Sequence, residues 1–128
     1  ASNNRLDLFA EMRLASLLAK VTQGDAAALP AATVLRMATL GGARAVGLDD
    51  RIGSLVPGKD ADVVAVDFSS VALAPCYDPV SHLVHAAGRE HVTDVWIEGE
   101  RLVDSGRLVR LDSAAITARA AIWRDRIA

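Results

Sequence analysis

The chain is 128 residues long, 52% hydrophobic, 23% charged and only 4% aromatic, so it can bury one core and must build it from Ala, Leu and Val. Its 14 basic and 16 acidic residues give a formal net charge of −2; they are scattered and form no basic stripe, which argues against nucleic acid and membrane surfaces as partners. The single cysteine, Cys76, leaves no internal disulfide, no apolar run reaches membrane-spanning length, and the expected setting is a reducing cytoplasm.

The chain opens on Ala1 and the polar cluster Ser2-Asn3-Asn4 rather than on Met, which is read as the start of a piece of a longer protein. Residues 5–23 repeat apolar side chains at helical spacing through Ala10, Leu14, Leu17, Leu18 and Val21. Asn4 is the expected N-cap, Asp7 is placed in the first turn to complement the dipole, and Gly24 ends the helix. Pro30 opens a second helix to about Leu40, which Gly41-Gly42 is expected to interrupt, and the small residues there suit close backbone approach. One or two further turns follow over 43–48.

After Asp49-Asp50 the period changes. Ile52–Val56 and Ala61–Asp67 are predicted to form a β-hairpin across Pro57-Gly58, with the second strand well buried. Residues 68–80 read as loop, and 80–87 as a short helix. Three strands, 92–97, 101–104 and 107–111, form a meander through turns at Glu98-Gly99 and Ser105-Gly106. Asp112 or Ser113 caps a last helix with Ile116, Ala120, Trp123 and Ile127 on one face. Helices, then strands, then a closing helix predict an α+β arrangement or pieces of two domains rather than an alternating α/β unit.

Residues with chemistry are few. His82 and His85 form an H-x-x-H pair, but zinc needs a third protein ligand and none stands at a recognisable spacing. His91 is expected to be isolated and exposed, and Cys76 to be a packed loop thiol rather than a nucleophile, since no oriented base accompanies it. Asp60, Asp62 and Asp67 are expected at the solvated ends of a strand, and Trp96 and Trp123 in the core. Spacing alone yields no catalytic residue and no metal site.

Three stretches carry a resemblance. The opening Ser2-Asn3-Asn4-Arg5-Leu6-Asp7-Leu8-Phe9 is one. The second runs from Met37-Ala38-Thr39-Leu40-Gly41-Gly42-Ala43-Arg44-Ala45-Val46-Gly47-Leu48 through Ile52-Gly53-Ser54-Leu55 to Pro57-Gly58-Lys59-Asp60-Ala61-Asp62. The third is Pro79-Val80-Ser81-His82-Leu83-Val84 with Val95-Trp96-Ile97-Glu98-Gly99. Together they resemble the C-terminal portion of the metal-dependent amidohydrolase superfamily, nearest its 5'-methylthioadenosine/S-adenosylhomocysteine deaminase branch, with triazine hydrolases and chlorohydrolases as relatives.

The resemblance implies an α+β fragment: residues 1–50 as the last outer helices of a (β/α)8 barrel, 51–111 as the C-terminal part of a small β-sandwich, and 112–128 as a closing helix. It implies a parent enzyme that binds one divalent metal, zinc or iron, whose activated water attacks the amino-bearing carbon of a purine nucleoside and releases ammonia. The metal ligands and acid–base groups would lie upstream of Ala1, so this chain alone is expected to bind no metal and to be inactive. Ser2, Asn3 and Asn4 would lie beside the substrate. A homo-oligomer is left open, as are triazine, guanine or cytosine substrates and a non-catalytic structural or interaction domain.

Overall fold

The computed structural model describes residues 4–127. Helix α1, Leu8–Gln23, begins three residues later than the periodicity suggests. Its N-cap is Asp7, not Asn4: the Asp7 carboxylate accepts from the Ala10 N–H at 3.2 Å. Both residues are good caps by type, but Asp7 is buried and Asn4 exposed, so tertiary packing selects between them. Gly24 closes the helix in the left-handed region, donating to the Lys20 and Val21 carbonyls.

Pro30 precedes α2, Ala31–Arg36. The expected interruption at Gly41-Gly42 does not occur, because the helix runs on through a π-helical turn, Met37–Gly41, into α3, Gly42–Ala45. The Gly42 N–H reaches back five residues to the Met37 carbonyl, so one extra residue is absorbed in the turn rather than breaking it.

Residues 52–56 are not a strand, and the hairpin predicted around Pro57-Gly58 is absent. The segment is instead folded on itself as a loop. Lys59 donates its ammonium to the carbonyls of Asp49 and, at 3.1 Å, Ile52, while the Asp60 N–H donates to the Arg51 carbonyl at 2.8 Å. With the backbone held this way, Ile52–Val56 has no ladder to join.

Strand β1, Val63–Val66, pairs antiparallel with β2, Val92–Ile97, at the edge of a sheet ordered β1-β2-β3-β4 with β3, Glu100–Asp104, and β4, Arg107–Leu108. The two turns, Glu98-Gly99 and Ser105-Gly106, have both residues at positive φ, the signature of tight type I′ hairpins. Burial of the sheet is only partial. Val64, on the strand expected to be well buried, is 54% exposed and Ile97 is 49% exposed, since one face of β1 and the end of β2 meet no second layer among the described residues.

Helix α4, Pro79–His85, is capped by Asp78, whose carboxylate accepts from the Val80 N–H at 3.0 Å. It brings the fully buried Val84 against Met12 of α1 and Val34 of α2, with Phe9, Leu29 and Leu35 packed around them. This is the core. Helix α5, Ser113–Ile127, is capped by Asp112 as expected but buries nothing. Trp123, expected in the core, is 57% exposed with Arg126 stacked over its ring. No helix among the described residues is long and apolar enough to cross a membrane.

Candidate functional site

Ser2 and Asn3 lie outside the described residues. Asn4 is exposed and leads into a short irregular approach to α1 in which Leu6 takes a positive φ of 49°. Arg5 Nε stands 3.4 Å from the buried Asp7 carboxylate, which also caps α1. Two arginines tie α1 and the approach to it to the chain beyond α4. Arg13 Nη2 donates to the carbonyl of the fully buried Ala87 at 2.7 Å, and Arg89 Nη1 donates to the Arg5 carbonyl at 3.4 Å. Arg13 and Arg89 were not singled out by the sequence, and a lone arginine on a helix face offers no signal that would do so.

The histidines do not gather into a metal centre. His82 Nδ1 sits 3.2 Å from the Asp78 carbonyl one turn back, an ordinary helix contact. His91 is not exposed as expected. Its side chain is half-buried, and its Nδ1 accepts from the Gly88 N–H at 3.0 Å, closing the turn that feeds β2. Cys76 is exposed rather than packed.

The carboxylates serve the fold. Asp60 pairs with Arg51 at 2.7 Å, and Asp62 accepts from the Glu98 N–H at 2.9 Å. Asp67 is held below the usual carboxylate range by the Ser69 N–H, then the Ser69 hydroxyl, with a smaller contribution from His91 and against an opposing desolvation. Asp94 is held low chiefly by Arg101, which also lies over the Trp96 ring.

An open groove of about 1130 Å³ lies between α1, the π-turn helix, the 52–55 loop, β1 and α4. Its walls include Leu8, Phe9, Leu35, Leu40, Val64, Val66 and Leu83, and among the described residues its charged lining is Arg36 and Asp62. An apolar trough without convergent polar groups is a packing face, not a reaction pocket. Elsewhere on α1, Leu14, Leu17, Leu18 and Val21 are also exposed.

No group of three His, Cys, Asp or Glu side chains converges among the described residues, so they do not fit a metal ion.

The helical core beside a small antiparallel sheet, joined by the Gly-rich π-turn and the Lys59 loop, defines an amidohydrolase-type fold portion. The amidohydrolase family model matches residues 1–102, and the chain belongs to that family. It is 48% identical over 127 residues to a 5-methylthioadenosine/S-adenosylhomocysteine deaminase of Teredinibacter turnerae, covering 99% of this chain and 29% of that protein. The crystal structure of an adenosine deaminase from Xanthomonas campestris with bound zinc superposes with a TM-score of 0.96 at 54% identity, over 99% of this chain and 29% of that one. A zinc-complexed atrazine chlorohydrolase from Arthrobacter aurescens superposes at 0.82 and 28% identity, over 89% and 25%. The chain thus spans under a third of the length of these relatives.

Proposed function

We propose that this chain is the C-terminal portion of a metal-dependent hydrolytic deaminase that releases ammonia from 5'-methylthioadenosine or S-adenosylhomocysteine. The observation that carries the reading is the 48% identity to a deaminase of that name across nearly the whole chain. In this reading residues 1–50 are the last outer helices of a (β/α)8 barrel, 51–111 the C-terminal part of a β-sandwich, and 112–128 its closing helix. The zinc or iron and the acid–base groups belong, in this reading, to the rest of the protein. What this chain contributes is shape: α1, α2 and α4 form a wall, and Ser2, Asn3 and Asn4 sit beside the purine nucleoside.

The exposed apolar side chains support the same reading. The groove, Val64 on β1 and the leucines of α1 are surfaces that a soluble chain leaves open only where another layer covers them. A second reading keeps the hydrolase and changes the substrate to a triazine, favoured by the likeness to the chlorohydrolase but at lower identity. Ammonia release by the full-length, metal-loaded protein, compared across adenosine thioethers, guanine, cytosine and aminotriazines, separates the two. A non-catalytic domain is rejected by turnover of any of them.

A further inference from the structure

Arg13 is half-buried, and its guanidinium is tied to a carbonyl 74 positions away in sequence, that of Ala87 just past the end of α4. Its Nε is buried with no hydrogen-bond partner among the described residues. A residue placed here for packing alone would carry no buried donor. Helical side chains lean toward the helix N-terminus, which from Arg13 is the direction of the first turn of α1. The same end of α1 is held a second time, by Arg89 on the Arg5 carbonyl. Asp7 completes the connection, capping α1 at Ala10 and standing 3.4 Å from Arg5.

We propose that Arg13 is a positioning residue for the reaction: through Ala87 it fixes where α1 begins, and so the placement of Asn4 beside the substrate. Arg89 is the outer, weaker tie of the same brace. The inference rests on the deaminase reading, and it goes beyond that reading by making the 87–89 segment, remote in sequence, a determinant of nucleoside binding. The brace holds position and moves no proton, so its loss acts on substrate binding ahead of the chemical step.

The test uses the full-length protein. Arg13→Met keeps the stem and removes the donors, whereas Arg13→Lys keeps one donor for Ala87. Hydrogen exchange at residues 5–10 is expected to quicken by about tenfold in Arg13→Met, with KM for the adenosine thioether up about tenfold and kcat within about threefold, the pattern of lost uniform binding. Arg13→Lys is expected to recover most of both. An unchanged exchange pattern, or a lowered Tm with KM untouched, overturns the proposal. If Arg13→Met does not fold, Arg89→Ala at its exposed position is expected to raise KM about twofold to threefold, and an unchanged KM there counts equally against it. Should the wild type prefer an aminotriazine or free base, the deaminase reading fails on its own, and the exchange comparison and KM on that substrate still decide the role of Arg13.

Discussion

Gly53 lies so close to Ala43 that a Cβ placed on it would come within 2.7 Å of the Ala43 Cβ and 3.0 Å of the Leu40 Cα. Its φ of +84° adds a backbone conformation that side chains resist. This contact locks the loop ahead of β1 onto the π-turn helix. Gly53→Ala is therefore expected to lose about 2–4 kcal/mol, combining strain and overpacking. Gly58→Ala, also at positive φ but with open space around it, is expected to lose only about 1–2 kcal/mol. Denaturant midpoints of the two variants check this, and equal losses would contradict it.

Lys59 is the pin of the same loop. Lys59→Met retains the stem but leaves the Asp49 and Ile52 carbonyls without their charged donor. The expected loss is about 1.5–3 kcal/mol, with exchange at residues 49–60 faster and the sheet amides unaffected. Exchange unchanged in that loop would show that other contacts hold it.

Asp94 receives the Arg101 guanidinium and the Ser105 N–H at the centre of the β2–β3 hairpin. Because its folded pKa is lowered from the ordinary 3.8, chiefly by Arg101, the stabilisation is fully present above that value and is lost as pH falls through the lower folded one. Asp94→Asn should lower Tm at neutral pH, and the gap to wild type should close below about pH 3.8. A gap constant down to strongly acid pH would exclude a charge-based role.

The exposed apolar face of α1 and the open groove predict the behaviour of the 128-residue chain prepared alone. Surfaces of this kind drive association. Sedimentation should show oligomers or aggregates growing with concentration, and a stable monomer at high concentration would contradict the view that another layer covers this face. Within the same sample the amides of 63–66 and 92–97 should be protected together, since they form one ladder.

Local signals were legible wherever they were also decisive. Gly24 and Asp112 ended or began helices as their types require, and the Glu98-Gly99 and Ser105-Gly106 pairs fixed two hairpins. Where two local solutions competed, tertiary contacts chose. Asp7 displaced Asn4 as the cap because it is the buried one, the π-turn carried the helix past two glycines, and Lys59 folded 52–56 away from any strand. Apolar periodicity also overstated burial in α5 and β1, since it reports which face wants a partner and not whether one is present. The family was readable from three motifs, but the brace through Arg13 and Ala87 was not, because it joins residues that nothing in the sequence relates.

The central claim is the reaction of the whole protein, and initial rates of ammonia release by the metal-loaded, full-length enzyme test it most directly. The account predicts turnover of 5'-methylthioadenosine and S-adenosylhomocysteine faster than of guanine, cytosine or any aminotriazine measured beside them, because a site built to hydrogen-bond ribose hydroxyls rejects molecules that lack them. A higher kcat/KM for any non-nucleoside substrate would contradict it, leaving the chain in its family but with another substrate.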